Sequence, residues 1–150
     1  MKIKVAWIGK TKEPAIQALT DEYLKRISRY TQAEGHALGD EAALLRLCGI
    51  GKSKSGAARS TLALLDSRGK QFSSEEFAHF MRDYQDRNPL PLVFAIGAAD
   101  GFSDTVREAA QYTISLGKMT LAHELARVVL LEQVYRAFTI LKGHPYHSGH

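Results

Sequence analysis

With 150 residues, 45% of them hydrophobic, the chain is long enough to bury a core without disulfides or metal ions, and we expect a single domain over residues 1–150. Its lone cysteine, Cys48, excludes an internal disulfide, and no apolar run approaches the roughly 20 residues that a membrane helix needs, which predicts a cytoplasmic protein without a membrane partner. The net charge of +4 is concentrated toward both ends of the chain, which predicts a basic surface for RNA if the ends meet in the fold.

The first third of the chain predicts a strand followed by a helix, and then a weaker region. Alternating residues over Lys2 to Ile8 indicate the strand, and apolar residues at helical spacing from Pro14 to Tyr30 indicate the helix. Between residues 31 and 59 the pattern indicates only a short helix over Asp40 to Leu47. The segment GIGKSKSG at 49–56 is interpreted as a flexible, exposed loop.

A second strand and helix follow. The apolar run from Ser60 to Leu65 predicts a buried strand closed by Asp66 and Gly69. Ser73 and Glu76 have the spacing of a capping box at a helix start. One face of that predicted helix is apolar and carries Phe77, Phe80, Met81 and Tyr84.

The remaining elements complete an alternation of strands and helices. The most apolar strand is predicted over Leu90 to Ile96, a short helix capped by Ser103 runs to Ala110, a strand covers Tyr112 to Leu116, and a final helix covers Leu121 to Leu141. This alternation predicts an α/β fold with a mostly parallel, helix-covered sheet. Ligands of such sheets bind beyond the carboxyl ends of the strands.

Three loops at predicted strand ends contain glycine and other small residues. They are Leu65 to Gly69, the GAADG segment at 97–101, and Gly117 to Thr120. Small residues let a ligand approach the backbone closely, although an ordinary tight turn has the same composition. Because three such loops recur in one α/β chain, we interpret them together as the walls of a pocket.

Two motifs that are typical of other functions are incomplete, because each lacks one residue that the motif requires. Gly51, Lys52 and Ser53 look like the end of a phosphate-binding loop, but Arg46 stands where that motif requires glycine. His123 and Glu124 begin a zinc-protease motif, but Arg127 stands where the second histidine is required. We therefore predict no metal site.

The final helix is apolar on every side over Val128 to Leu131, which requires a second buried surface. We expect an identical subunit to supply it, because a doubly covered sheet of this size places its helices outside; a helix buried within one chain is the alternative. Glu124 with Arg127 and Glu132 with Arg136 are spaced for surface ion pairs. The tail at 144–147 contains an aromatic residue and a proline, so we predict that it is ordered and packs against another surface.

Five segments together resemble the ribosomal RNA large subunit methyltransferase H family of the SPOUT class, small enzymes that methylate pseudouridine. These segments are KIKVAWIGKTKE, EYLKRISRY, LLDSRGKQFSSEEF, LVFAIGAADGFS and SLGKMTLAHELARVVLLEQVYRAFTILKGHPYH. The last is the most specific, and residues 34 to 60 match weakly. The resemblance implies a fold whose C-terminal segment passes through a loop as a trefoil knot, and a homodimer.

The resemblance also implies S-adenosylmethionine as cofactor. Its contacts carry over to positions in the three loops: Leu65, Gly97, Ala98, Gly117, Lys118, Met119, Thr120, Leu121 and Ala122. Two positions depart from the family's pattern, because Ala98 stands where glycine is usual and Ala122 where proline or serine is usual. The added methyl group of Ala98 could crowd the cofactor, so these departures bear on cofactor affinity.

The implied activity is methylation of N3 of a pseudouridine in 23S ribosomal RNA within an assembled ribosome or subunit. N3 is an imide nitrogen that must lose its proton, so a base or a positive group should assist. The available groups are His123, Arg127, Arg136, Tyr146 and His147. We expect the arginines to grip phosphate or the developing oxyanion while Tyr146 and His147 close over the base, and no single general base is assigned.

Three alternatives remain open at this stage. The first is a non-enzymatic RNA- or ribosome-binding domain of the same fold, which the departures at Ala98 and Ala122 support. The second is a methyltransferase acting on a different RNA base. The third and weakest is a small α/β enzyme acting on metabolites.

Overall fold

The computed structural model describes residues 1–50 and 59–148, so most of the predicted loop at 49–56 lies outside the described residues. Strands and helices alternate as the sequence predicts. In chain order they are β1 (Lys2–Ile8), α1 (Pro14–Ile27), β2 (Gln32–Leu38), α2 (Glu41–Leu47), β3 (Thr61–Gln71), α3 (Ser74–Arg87), β4 (Leu92–Ile96), α4 (Asp104–Ala109), β5 (Tyr112–Ser115) and α5 (His123–Leu141).

The described strands form one sheet in the order β2-β1-β4-β3-β5, and all four pairings between them are parallel. The prediction of a parallel, helix-covered sheet is therefore confirmed. The capping box is also present, because Ser73 Oγ accepts from the Glu76 backbone N–H and Glu76 Oε1 accepts from that of Ser73. Both bonds satisfy N–H groups that a helix start otherwise leaves unpaired.

Two strand predictions were incomplete. Strand β2 was not predicted, because it is an edge strand in which the polar residues alternate with small residues and not with large apolar ones. Strand β3 does not end at Leu65 but continues to Gln71, with Leu65 and Lys70 both paired to Ile114. Residues 66–69 bulge out between those two pairings, at the carboxyl end of the sheet.

Helices cover both faces of the sheet. On one face α1, α3 and α5 pack over the side chains of Ile3, Val5 and Phe94, and on the other α2 and α4 pack over Leu62 and Val93. None of the described helices is long and apolar enough to cross a membrane. The basic N- and C-terminal segments meet, because α1 packs directly against α5.

Helix α5 lies between α1 and α3, over the middle of the sheet. Its own chain buries Val128, Leu130, Leu131, Val134 and Phe138. The argument that this apolar helix requires a second subunit was therefore wrong: α5 is the central helix of its layer and has neighbours on both sides. The trefoil knot stays a prediction.

Candidate active site

A cavity of about 450 Å³ lies at the carboxyl ends of β3, β4 and β5. This volume is within the range of roughly 300–1,000 Å³ that is usual for small-molecule and cofactor sites. Its walls come from the bulge after Leu65, the turn after β4, the loop after β5 and the start of α5. The lining residues are Leu65 to Arg68, Ile96 to Gly101, Arg107, Ser115 to Gly117, Met119 to Leu121, His123 and Ala126.

Glycine is required at several points of this wall. A Cβ at Gly97 would lie 3.3 Å from the Phe102 ring and from the carbonyl carbon of Gly101, a tight contact that would require the turn behind it to shift by a few tenths of an ångström. Gly101 and Gly117 have φ angles of 79° and 133°, which other residues rarely adopt. The small residues therefore set the shape of the wall as well as leaving room in front of it.

The structure brings most of the predicted cofactor positions together. Seven of the nine line the cavity, and the exceptions are Lys118 and Ala122. The methyl group of Ala98 is part of the cavity wall, where the sequence comparison placed the usual glycine. The side chain of Met119 is 87% exposed, which is unusual for a large apolar residue. Their binding roles remain predictions.

An ion pair on the cavity wall was missed by the sequence analysis. Arg107 Nη1 lies 2.7 Å from Asp66 Oδ2, and both residues line the cavity. Asp66 was interpreted only as the end of a strand, and Arg107 was not singled out. Their pairing depends on the β3 bulge approaching α4, which local spacing does not reveal.

The start of α5 carries two of the predicted catalytic residues, and they are placed differently. His123 lines the cavity. Arg127, one turn later, is 1% exposed and does not line it. Between them, Glu124 Oε1 accepts from the backbone N–H groups of Lys12 and Glu13, at 2.9 and 3.4 Å, so the loop after β1 is fastened to the start of α5.

Arg127 points into the protein interior. Its Nη1 donates to Thr11 Oγ1 at 2.9 Å and to Thr20 Oγ1 at 3.4 Å, and its guanidinium carbon lies 3.9 Å from the centre of the Trp7 ring. Within the described residues its Nε has no hydrogen-bond partner, and burial lowers the pKa of the guanidinium. The predicted surface ion pair with Glu124 was therefore wrong.

The other three predicted catalytic residues form a network at the end of α5. Arg136 Nη2 donates to Glu132 Oε1 at 2.6 Å, as the helical spacing predicts, and Arg136 Nη1 lies 3.0 Å from His147 Nδ1. His147 Nε2 lies 2.8 Å from Glu75 Oε1. Because a guanidinium can only donate, these contacts assign Nδ1 as acceptor and Nε2–H as donor.

The tail folds back onto α5, which confirms that it is ordered against the protein. The Tyr146 ring lies 4.9 Å from the Tyr135 ring and 4.9 Å from the Arg136 guanidinium. None of Arg136, Tyr146 and His147 lines the cavity. Arg136 follows His123 by 13 residues, a rise of about 20 Å along the helix axis. One chain therefore holds the predicted catalytic residues in two separate groups.

This chain is similar to known proteins over its whole length. The family described as "Predicted SPOUT methyltransferase" matches residues 1–147. A protein of Koribacter versatilis, named ribosomal RNA large subunit methyltransferase H, is 55% identical over 150 residues, which are all of both chains. A protein of the same name from Geotalea daltonii is 43% identical over 152 aligned positions, covering 98% of this chain and 99% of that one.

A solved structure agrees with the fold. The SpoU methyltransferase of Streptomyces viridochromogenes, crystallised in complex with AdoMet, superposes with a TM-score of 0.54 at 12% identity. The alignment covers 90% of this chain and 57% of that longer one, so this chain spans little more than half of its length. At this identity the likeness concerns the fold alone.

Proposed function

This chain belongs to the SPOUT methyltransferase family, and we propose from this premise that it uses S-adenosylmethionine to methylate N3 of a pseudouridine in large-subunit ribosomal RNA. The observation that carries the proposal is the cavity in which Leu65, Ala98 and Met119, from three separate loops, meet beside His123. We expect the protein to act in the cytoplasm, and we expect the assembled ribosome or subunit to be the particle that it recognises.

The cavity fits the proposed cofactor. The turn at 97–101 carries no side chain at Gly97 and Gly101 and only methyl groups at Ala98 and Ala99, so a flat ring could approach its peptide groups closely. Apolar walls from Leu65, Leu116 and Leu121 suit a nucleoside base, and the charged groups suit a polar end. When bound, the cofactor supplies a methyl group on a sulfonium, which is already an excellent leaving group.

The protein's main task is then to position the acceptor and remove its proton. Methyl transfer needs the nitrogen in line with the methyl group and close to it. His123 lies on the cavity wall, where it could hold or accept a proton, and a cation could stabilise the negative charge that develops on the imide. Arg136 is better suited to this second task, because its side chain is partly exposed, at 16%, whereas Arg127 is 1% exposed.

We assign Arg127 a bracing role in place of the RNA contact that the sequence suggested. Its hydrogen bonds reach Thr11, in the loop after β1, and Thr20, on α1. Lys10 and Lys12 lie in the same loop and are exposed. Arg127 therefore supports a basic loop beside the start of α5 without itself meeting the solvent.

We propose a homodimer, because Arg136, Tyr146 and His147 do not line the cavity of their own chain and a second copy could bring them to it. The proposal draws support from the exposed apolar side chains of Leu19, Met119 and Leu125, on α1, the loop after β5 and α5. Such side chains on adjoining elements are typical of a surface that another protein covers. A second copy could then place its Arg136, Tyr146 and His147 over the cavity of the first.

The direct test is methyl transfer from labelled S-adenosylmethionine to ribosomes or subunits from a strain that lacks this protein, followed by mapping of the labelled nucleotide. We expect label at N3 of one pseudouridine of the large-subunit RNA. Label at another base would overturn the substrate assignment. No transfer, together with no calorimetric heat of cofactor binding at millimolar concentration, would support the non-enzymatic alternative.

Mixing two inactive variants tests the shared site. Ala98→Trp should fill the cavity, and Arg136→Ala should remove the tail's cation. If the tail serves the partner's cavity, half of the dimers in an exchanged equimolar mixture are mixed, and each mixed dimer has one intact site of two, giving about a quarter of wild-type activity. If the tail serves its own cavity, the mixture stays inactive. Ala42→Trp, on the exposed side of α2, is the control for added bulk.

A further inference from the structure

We propose that Arg107 binds the carboxylate of the amino-acid end of S-adenosylmethionine, and that Asp66 positions Arg107 for this contact. The inference rests on the proposed function and assigns a charged contact within the cavity to one end of the cofactor. Neither residue is among the positions that the family resemblance carries over.

Arg107 is held on two of its three nitrogens. Its Nη1 lies 2.7 Å from Asp66 Oδ2, and its Nε donates to the Phe102 carbonyl at 3.0 Å. The side chain is 28% exposed, so it is restrained at the wall and still accessible from the cavity. A guanidinium fixed in this way loses little further freedom when it binds a ligand.

The third nitrogen, Nη2, remains available to a ligand. It has no partner within the described residues, and a Cβ added to Gly101 would lie 3.6 Å from it. Gly101 also lines the cavity, and its φ of 79° belongs to the turn that carries Ala98. Nη2 therefore presents N–H groups at the same wall that the resemblance assigns to the cofactor.

Two acidic side chains, Asp66 and Asp100, line the cavity together with Arg68 and Arg107, so the orientation of Arg107, and not a net positive charge, favours an anion there. Asp66 is only 8% exposed, and its Oδ1 already accepts from the Arg68 backbone N–H at 2.9 Å. Asp66 therefore fixes Arg107 while offering little of its own surface to a ligand. The other nearby cation, Arg68, is 70% exposed and touches Asp66 only at 3.5 Å, so it is less well oriented.

A carboxylate is the chemical group that best matches this site. Guanidinium groups recognise carboxylates and phosphates through directed, charge-assisted hydrogen bonds. The cofactor carries one carboxylate and no phosphate. We choose the cofactor over RNA phosphate because Arg107 belongs to the wall shared with Gly97 and Ala98, whereas the basic residues of the loop after β1 face the exterior.

Two natural nucleosides that differ in the amino-acid end allow the contribution of the carboxylate to binding to be measured. S-adenosylhomocysteine has the amino-acid end, and 5′-methylthioadenosine has the same nucleoside and thioether without it. We would titrate the full-length wild type and Arg107→Met with both by calorimetry. Because a hydrogen bond to a charged group contributes about 1.5–3 kcal/mol, Arg107→Met should weaken S-adenosylhomocysteine at least about tenfold and leave 5′-methylthioadenosine unchanged.

Three variants complete the test. Asp66→Asn should lower the preference for S-adenosylhomocysteine over 5′-methylthioadenosine by less than Arg107→Met does, and Arg107→Lys should restore part of it. Arg82→Met, on the exposed side of α3, should change neither affinity. The ratio of the two affinities reports on the carboxylate contact, since a general distortion of the cavity would weaken both ligands alike.

The opposing outcomes are distinct. Equal losses for both ligands in Arg107→Met would overturn the inference in favour of a structural role. Unchanged affinities with weaker ribosome binding would overturn it in favour of a phosphate contact, and a selective loss in Arg68→Met alone would assign the carboxylate to Arg68. A wild type that binds neither ligand would overturn the proposed function and this inference with it.

Discussion

The two ends of α5 each carry one arginine and one predicted catalytic histidine, yet they differ in almost every other respect. At the first end Arg127 is enclosed beside Trp7 and His123 lines the cavity. At the second end Arg136 and His147 contact each other at the surface, next to Glu132 and Glu75. The same residue type is therefore enclosed in the interior as Arg127 and held in a partly exposed network as Arg136, according to what packs around it.

The largest effect that we expect concerns catalysis at the second end. Arg136→Ala or His147→Ala should lower methyl transfer to ribosomes by well over tenfold, because each removes a group proposed to act on the RNA. Affinity for S-adenosylhomocysteine should stay within about twofold, since neither residue lines the cavity. Filter-binding of labelled product and calorimetry measure the two quantities.

Unchanged turnover in both of these variants would contradict this prediction, because the network of Arg136 and His147 would then have no part in the reaction. A loss of S-adenosylhomocysteine affinity as large as the loss of methyl transfer would also contradict it, because the tail would then act on the cavity of its own chain. Arg82→Ala, an arginine on the exposed side of α3, provides the control.

The next effect concerns stability at the first end. Arg127→Ala should lower the free energy of unfolding by about 2–4 kcal/mol, because it leaves a cavity beside Trp7 and removes two hydrogen bonds. Arg136→Ala should lower it by less than Arg127→Ala does, because the Arg136 side chain is partly exposed and water can replace its contacts. Urea denaturation followed by circular dichroism gives both values, and similar losses would contradict the distinction.

Arg127→Met makes the same comparison more specific. Methionine fills much of the space without bringing a buried charge, so this variant should cost less stability than Arg127→Ala. Trp7 is the chain's single tryptophan, and it should report the change by fluorescence. Its emission should respond to Arg127→Met and not to Arg136→Met; a response to both would indicate that the two ends are coupled.

The smallest effect is a pH dependence at the second end. The hydrogen bond from His147 lowers the pKa of the Glu75 carboxyl below its ordinary value of about 4.3. A lowered folded-state pKa means that the attachment of the tail is strongest above the ordinary value and is lost as the pH falls through the lowered one. The Tyr146 ring resonances should move toward unfolded-chain positions over that acidic range.

Glu75→Gln should remove this acidic step from the Tyr146 titration, because glutamine does not ionise. Resonances of Trp7 at the first end should not follow the step in either protein. A step in the wild type at or above the ordinary glutamate pKa would contradict the assignment.

Much of the fold follows from local pattern. The alternation in β1, the apolar face of α3 and the capping box at Ser73 all depend on residues within a few positions of each other, and each was predicted. The cavity was predicted because parallel strands end at the same edge of a sheet. Such features need no knowledge of distant parts of the chain.

The errors concern features that distant residues decide. Glu124 and Arg127 have the spacing of a surface pair, but Thr11, Thr20 and Trp7, more than 100 positions earlier, enclose Arg127 instead. The apolar surface of α5 was assigned to a second subunit because its place between two helices is not encoded locally. The Asp66–Arg107 pair likewise required the β3 bulge, which only the sheet register reveals.

The bond between the Lys12 backbone and Glu124 joins positions 112 apart, near the two extremes of the chain. During translation the first helix therefore emerges long before the helix that covers it has been made. The layer of three helices can close only after α5 has been made, so a premature stop before α5 should leave a nascent product whose apolar sheet face is partly uncovered.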